Sequence, residues 1–468
     1  MDRRLTTAVG VLLMLAAAAI YLATQMERFY DHFVWQAAAF LEGHAAIRYP
    51  VQDVGDAIGN WYFQDVLPVA PTDGVSRGLL PFPPLPALVL LPFVAAWGLS
   101  ADDQTIFTLL AAADVGIVFW MLGRLRISPV VRIGTTVFFA FGTVFWYTAQ
   151  LSTTWYQAHI VAVGLAVLAV GLAIGGDRAA HDDEPDADDD PSPGRCPWHD
   201  RFAVDPRQFV VGVLFGLACT ARLPVVFAAP FFMLVGSGGG WWRRSWSAGI
   251  GAAIPVGLLL AYNLTTTGHV LHPAYDYLYR LEAAGYEALG YRTDWAVEDP
   301  RYIPQNAVIM FLTTPDVLPE TLPDSLGVYD DPVCEDPDAE RGLFDLSCPL
   351  AVPRDIGMSV LLTSPAFLLA IAAFRRHGRG RLVTGAAIAV LLVVVFNLMH
   401  FSQGWVQFGY RFSNDAVPFA LPIVALGFQR LVATRWPRPW VMPVAMGLIV
   451  VSVAVNYWGV AWGYLLGW

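Results

Sequence analysis

The sequence predicts an all-α, polytopic membrane protein with about eleven transmembrane helices. Of its 468 residues, 56% are hydrophobic and only 14% are charged. Apolar runs of roughly twenty residues, long enough to cross a bilayer as a helix, recur along the whole chain. A chain of this composition leaves no soluble domain of ordinary size.

The first apolar run, 7–26, follows Arg3 and Arg4 and has no small-residue cleavage site, so we expect a retained signal anchor. All 28 basic residues are arginines. The absence of lysine excludes a Schiff-base lysine and a phosphate-loop lysine. We expect the other ten spans at 105–123, 133–149, 156–175, 208–221, 223–236, 247–262, 356–374, 382–399, 414–430 and 440–462.

The arginines orient these spans. If Arg3 and Arg4 are cytoplasmic, every short arginine-rich loop falls on the same side, as the positive-inside rule requires. The loops hold Arg124, Arg126 and Arg132, then Arg243 and Arg244, then Arg375, Arg376, Arg379 and Arg381, then Arg430, Arg435 and Arg438. The prediction is a multi-pass protein of the cell membrane with a cytoplasmic N-terminus and with Trp468 outside.

Two segments decide whether the number of membrane crossings places the later arginine-rich loops inside. The stretch 81–98 is apolar but rich in proline, and we interpret it as a re-entrant or interfacial helix in the first outer loop. The stretch 208–236 is either one kinked helix or two short helices that turn near Arg222 and Pro224. Two short helices keep the later arginines inside.

Three regions follow from this topology. A transmembrane module at 1–265 includes the first outer loop, 27–104, and an acidic cytoplasmic linker, 176–206. A second outer loop region covers 263–355, and C-terminal transmembrane helices cover 356–468. The acids of 181–190 have no aromatic neighbours and are expected to be solvated.

The cysteines indicate one disulfide and no zinc site. Cys334 and Cys348 share the second outer loop, where the compartment is oxidising, and we expect them to be bonded. Cys196 and His199 lie close together in the sequence, but one cysteine and one histidine do not make a zinc site.

Candidate catalytic groups lie at the predicted outer face. Asp31 follows the first span. It is expected either to take a proton from a hydroxyl or to bind a divalent cation. The alternative is a charge that simply ends the helix. His32 is the neighbour of Asp31. Trp155 and His159 belong to a polar and aromatic turn that suits a sugar pocket. Asp114 is predicted at mid-span, where helix packing is the favoured role.

Two arginines are candidate phosphate ligands. Arg222 and Arg411 are expected at the outer ends of helices, where a guanidinium binds phosphate through paired hydrogen bonds. Tyr410 is a neighbour in the same pocket. For Arg411, an interface anchor or an ion pair with Asp415 stays open.

At these residues the chain resembles the GT-C superfamily of membrane glycosyltransferases, which includes mannosyl- and arabinosyltransferases that use polyprenyl-phosphate sugars. The resemblance covers roughly 1–265 and returns near 400–425. It rests on Asp31 with Phe40-Leu41-Glu42-Gly43, on Pro83-Pro84-Leu85-Pro86, on Gly216-Leu217 with Thr220-Ala221-Arg222-Leu223-Pro224, and on Gly409-Tyr410-Arg411-Phe412 with Pro418.

The resemblance implies an inverting transfer of a sugar from a polyprenyl phosphate to an acceptor hydroxyl of a glycan, lipid or protein. Asp31 would be the general base, and arginines would hold the leaving phosphate. The chain departs from the family at two places. His32 stands where many members carry Glu, and the loop after the third helix holds His159 but lacks the family's second carboxylate. The resemblance therefore implies no definite cofactor, and a divalent cation stays open.

Other classes remain. A lipid or small-molecule transporter would need polar or broken helices near mid-membrane and an internal repeat. A non-catalytic scaffold of the same fold would leave Asp31 and Arg411 pointing apart. Nothing in the sequence suggests a nucleic acid as a partner, so membrane lipids and a lipid-linked sugar are the expected ones.

Overall fold

A computed structural model describes residues 3–27, 30–48, 65–69, 74–182, 203–274, 276, 292, 294–323, 330–336, 338–374, 380–402, 404, 406–433 and 440–468. Within these ranges the chain is mostly helical. The α-helices are α1 Arg3–Ala23, α2 His32–Leu41, α3 Leu85–Trp97, α4 Asp103–Leu122, α5 Pro129–Phe141, α6 Phe145–Leu151, α7 Thr154–Asp182, α8 Pro206–Ala221, α9 Ala229–Leu234, α10 Trp241–Thr267, α11 Ile303–Leu312, α12 Val360–Thr363, α13 Arg381–Leu398, α14 Val417–Val432 and α15 Val441–Leu466.

Six of these helices are long and apolar enough to cross a membrane. They are α1, α4, α7, α10, α13 and α15. The pair α5 and α6, bent by 48° at the break between them, makes a seventh if it is one span. The composition-based prediction of a helical membrane protein therefore agrees with the fold. The number eleven stays a prediction, because the other predicted spans coincide with shorter apolar helices.

The helix starts follow local capping rules. The Asp102 carboxylate accepts from the Thr105 backbone N–H and begins α4, and Asp205 does the same for Gln208 at α8. Ser128 accepts from the Val131 N–H, with Pro129 at the first position of α5. Such caps satisfy backbone donors that the helix itself leaves unpaired.

The chain breaks at Arg222. Helix α8 ends at Ala221, Arg222 is extended, and a 3-10 helix, Leu223–Ala228, leads into α9. Pro224 explains the break, since it has no N–H to continue the helix and its ring would clash with the Thr220 carbonyl one turn earlier. The segment is thus not one continuous helix, and the Arg222 side chain is free to turn toward the later part of the chain.

Glycines allow α8 and α10 to pack closely. A Cβ at Gly212 would lie 2.1 Å from the Ala248 carbonyl oxygen, and one at Gly216 would lie 2.6 Å from the Ala252 oxygen. Gly251 in turn approaches the Phe209 oxygen. Small residues four apart let membrane helices approach at backbone distance.

The predicted outer loops contain short strands. In the first, β1 Ile47–Arg48, β2 Leu67–Val69 and β3 Arg77–Leu79 form an antiparallel sheet in the order β1-β3-β2. In the second, β4 Asp316–Val317 pairs with β7 Ala351–Val352, and β5 Thr321–Pro323 pairs with β6 Asp330–Pro332. Cys334 and Cys348 are joined by a disulfide in this region. The Trp462 indole of α15 donates to the Leu343 oxygen and holds the disulfide loop against the last helix.

Several sequence predictions lie outside the described residues. They concern Cys196, His199, Arg375, Arg376, Arg379, Arg435, Arg438 and most of the acidic linker 176–206.

Candidate functional site

The first two turns of α7 connect two groups of polar side chains. Thr154 and Gln157 contact residues near the start of the chain, and Tyr156 and His159 contact residues near its end. Helix α7 therefore brings together side chains that are several hundred residues apart in sequence. We call the two groups the acidic group, Asp31, His32, Asp102 and Asp103, and the basic group, His159, Arg222, Arg411 and Asp415.

His32 is fixed by Thr154. The Thr154 hydroxyl donates to the Tyr30 oxygen at 2.8 Å, so it accepts from His32 Nδ1, which lies 3.0 Å away. Burial lowers the pKa of His32 to about 3, and the imidazole is neutral at physiological pH. Trp155 stands beside it with ring centroids 6.0 Å apart, and its indole donates to Asp65 at 3.0 Å.

Asp31 directly precedes α2 but does not cap it. Among the described residues its carboxylate receives no hydrogen bond, and it is only partly buried. Burial, followed by the nearby negative charge of Asp102, raises the pKa of Asp31 to about 6. An accessible carboxylate with a pKa near neutrality has the properties of a general base.

Two further acids, Asp102 and Asp103, were missed in the sequence. Asp103 is buried, accepts from Gln157 Nε2 at 2.5 Å, and lies close enough to Asp31 for their charges to interact. The available signal was a pair of adjacent acids at the end of the first outer loop, immediately before a span. Acids at this position can also serve simply as helix caps, and Asp102 does cap α4.

The acids and histidines that the structure describes do not form a recognisable metal centre. No group of three or more His, Cys, Asp or Glu side chains in the described ranges is arranged to hold a metal ion.

Asp415 is the centre of the basic group. Its carboxylate accepts two hydrogen bonds from Arg222, at 3.1 and 2.9 Å, one from His159 Nδ1 at 2.9 Å and one from Asn397 at 3.1 Å. The Asp415 and His159 side chains are fully buried, and that of Arg222 is 19% exposed. The four donors offset the cost of burying a charged carboxylate.

Arg411 does not form the ion pair with Asp415 that the sequence left open. Both residues lie on a 3-10 helix, Arg411–Asp415. With three residues per turn, side chains four apart in sequence do not share a face. Asp415 therefore faces Arg222, and Arg411 points elsewhere.

Arg411 has no acidic partner within the part of the chain that the structure describes. Its guanidinium lies over the rings of Tyr156 and Phe412, 5.3 and 5.4 Å from their centroids. Its Nε atom is buried and makes no hydrogen bond to described residues. The same holds for the hydroxyl of Tyr410, whose ring is 5.9 Å from that of Phe412. Burial raises the pKa of this hydroxyl, which remains a donor.

Most of the predicted ligand residues surround the ring of Phe412. Arg222, Arg411, Tyr410 and His159 all lie within 6.1 Å of its ring centroid. Asp31, His32 and Trp155 belong to the acidic side of α7. The predicted site residues thus form two sets on one helix end.

The other end of α7 carries a different charge pattern. Arg244 and Arg381 approach Asp177 at 3.6 and 3.8 Å. From Thr154 to Asp177 the helix rises roughly 35 Å, close to the thickness of a bilayer's hydrocarbon core. The two polar groups and the arginine cluster therefore lie at opposite ends of one candidate span.

Comparisons with protein-family models, with curated proteins and with solved structures find no match.

Proposed function

We propose that the chain is an integral membrane glycosyltransferase that moves a sugar from a polyprenyl-phosphate donor to an acceptor hydroxyl, with inversion at the anomeric carbon. The proposal rests on the Asp31 carboxylate, which receives no hydrogen bond from described residues, and the Arg411 guanidinium, which has no described acidic partner. The two residues lie near the same first turns of α7, Asp31 beside His32 and Arg411 over Tyr156. The reaction needs a base and a cation at these two positions.

The outer membrane face is the proposed location of the reaction. Arg244 and Arg381 come from loops that the positive-inside rule assigns to the cytoplasm, and both lie near Asp177. The start of α7, with Asp31 and Arg411, would then face the outside of the cell membrane. The N-terminus would be cytoplasmic and Trp468 outside.

Arg411 would bind the phosphate of the donor. Its charge is not neutralised by a described acid, and its guanidinium lies over the rings of Tyr156 and Phe412. A planar guanidinium pairs well with phosphate oxygens. Arg222 already gives Nε and Nη2 to Asp415, so it would add charge and one remaining nitrogen, Nη1.

Asp31 would be the base. The acceptor oxygen forms a bond to the anomeric carbon, the bond from that carbon to the phosphate oxygen breaks, and the electron pair leaves with the phosphate. The proton of the acceptor hydroxyl goes to Asp31. A carboxylate with a pKa of about 6 is ionised at neutral pH and is a stronger base than an exposed aspartate. His32, which is neutral, would fix the backbone beside Asp31, and Trp155 would border the sugar.

Lipid binding tests the donor assignment. Native mass spectrometry of the purified chain would compare polyprenyl phosphate with the corresponding polyprenol, which lacks the phosphate. The native chain and Arg354→Gln, an exposed control, should retain the phosphorylated lipid, and Arg411→Gln should lose it. Equal binding of both lipids, or undiminished binding by Arg411→Gln, would contradict the proposal.

A transporter is the second candidate, and Asp114 favours it. This buried acid of α4 has an oxygen, Oδ2, without a hydrogen-bond partner in the described ranges, and Gly164 of α7 makes room for it. The bend between α5 and α6 adds a broken helix. Movement of a lipid-linked sugar across liposomes with its glycosidic bond intact, abolished by Asp114→Asn, would support transport over transfer.

A further inference from the structure

Helix α11 has an exposed apolar face in a region that the sequence assigns to an aqueous loop. Val308, Phe311 and Leu312 are 52%, 39% and 69% exposed. No Asp, Glu, Arg or His occurs between 303 and 315, so no charged side chain from this segment can cover that face.

The opposite face of α11 is buried against aromatic residues that adjoin the basic group. Ile309 and Met310 pack in one apolar cluster with Tyr410 and Phe412, the aromatic neighbours of Arg411. The helix is therefore held firmly, and its orientation is set by this packing. The exposed face points away from the candidate site.

Two hydrogen bonds fix the level of α11 relative to the spans. Asn306 Nδ2 donates to the Leu398 oxygen at 2.9 Å and to the His400 oxygen at 2.8 Å. These carbonyls lie at the C-terminal end of α13, a candidate span. Helix α11 thus lies at the depth where a membrane helix ends, not far out in solvent.

The segment after α11 is hydrogen-bonded to the start of the short helix α12, which also has exposed apolar side chains. The Ser359 hydroxyl donates to the Phe311 oxygen at 2.8 Å, and the Ser359 N–H donates to the Thr313 oxygen at 2.9 Å. Two residues later Leu361 and Leu362 of α12 are also exposed. We call Val308, Phe311, Leu312, Leu361 and Leu362 the α11 patch. Leu391 and Leu392 of α13, about two turns before the Leu398 carbonyl that accepts from Asn306, are also exposed.

We propose that α11 lies in the interface of the bilayer with the α11 patch against lipid acyl chains. An exposed apolar surface at the level where a transmembrane helix ends is covered most favourably by lipid acyl chains. Trp295 and Arg301 precede the helix, with the guanidinium 4.4 Å from the indole centroid, and this pair suits the headgroup layer. The wall between lipid and the rings around Arg411 is then a single helix. This placement does not depend on the proposed transferase activity.

Spin-label accessibility tests the proposal. The background replaces Cys196 and Cys219 and keeps the Cys334–Cys348 disulfide. Labels at Phe311→Cys and Leu312→Cys in phospholipid nanodiscs would be compared with Leu391→Cys, exposed on a candidate span, and with Ser76→Cys, exposed in the first outer loop. Power saturation would measure collisions with oxygen, which concentrates in lipid, and with a nickel chelate, which stays in water.

The expected result is that labels at 311 and 312 collide with oxygen more than with nickel, as at 391. Two results would overturn the proposal. Nickel accessibility equal to that at 76 would place the patch in water. Low accessibility to both reagents, with spectral broadening between labels, would mean that a second protein surface covers it. If one variant fails to fold, the other label decides.

Discussion

Arg222 and Arg411 show how two similar residues acquire different tasks. Arg222 gives two hydrogen bonds to Asp415, whereas Arg411 lies over two aromatic rings and has no described acidic partner. Both arginines could be selected from the sequence as outer-face cations. Which of them pairs with Asp415 could not, because the spacing of Arg411 and Asp415 suggests an α-helical pair and the segment is a 3-10 helix.

Removing the Asp415 charge should destabilise the fold. Asp415→Asn leaves the guanidinium of Arg222 without its carboxylate, and we expect a loss of about 3 kcal/mol in the free energy of unfolding. Asp316→Asn is the matched control, because the Asp316 and Arg354 side chains are both nearly half exposed, and it should change stability by about 1 kcal/mol or less. Chemical unfolding in detergent, followed by circular dichroism, measures both. Equal effects of the two substitutions would refute a structural role for the buried pair.

Asp31 should oppose folding when it is ionised. Its pKa is raised from 3.8 to about 6 in the folded chain, so the proton is held more tightly there than in the unfolded chain. The cost is absent below about pH 4 and complete above about pH 6. Asp31→Asn should therefore unfold at a higher temperature than the native chain near neutral pH, and the difference should shrink as the pH falls to 4. A difference that is constant between these pH values would show that the raised pKa is wrong.

At the scale of helices, the sequence predicted positions better than lengths. The expected spans at 105–123, 156–175 and 382–399 match the candidate spans of α4, α7 and α13 within two residues at each end, because long apolar runs with polar ends leave little choice. The helices at 223–236 and 356–374 are short and include 3-10 segments. Hydropathy does not distinguish a short buried helix from a full span, since both are apolar.

Close packing of α8 and α10 should depend on glycine. Gly212→Ala places a methyl group against the Ala248 carbonyl, and we expect a loss of roughly 1–3 kcal/mol. Gly257→Ala is the control on α10, because no atom lies within 4 Å of the added carbon, and it should be neutral or slightly stabilising. Thermal unfolding of both variants in the same detergent gives the comparison. A neutral Gly212→Ala would mean that the two helices separate without cost.

At the scale of the whole molecule, different charged groups lie at the two ends of α7. One end contacts Arg411 through Tyr156 and lies near Asp31 through the bond from His32 to Thr154, and the other end contacts Arg244 and Arg381 through Asp177. The positive-inside rule predicts from the sequence alone that Arg244 and Arg381 share one side, and both lie at the same end of α7. It could not find Asp102 and Asp103 as neighbours of Asp31, because that contact is made by folding the first outer loop back onto α7.

Labelling of intact cells tests the orientation. In a chain without Cys196 and Cys219, Ser76→Cys should react with a membrane-impermeant maleimide from outside. Ser192→Cys, in the acidic linker beyond the described residues, should react only after the cells are opened. The opposite pattern would invert the topology and move Asp31 and Arg411 to the cytoplasmic face.

The most direct measurement of the central claim is sugar transfer by Asp31→Asn. Membranes that supply the acceptor would be incubated with purified chain and polyprenyl phosphate carrying a radiolabelled sugar, and loss of label from the lipid would be followed. The account predicts transfer by the native chain and by Asp338→Asn, an exposed control, and none above background by Asp31→Asn that remains folded. Transfer by Asp31→Asn at the native rate would contradict it.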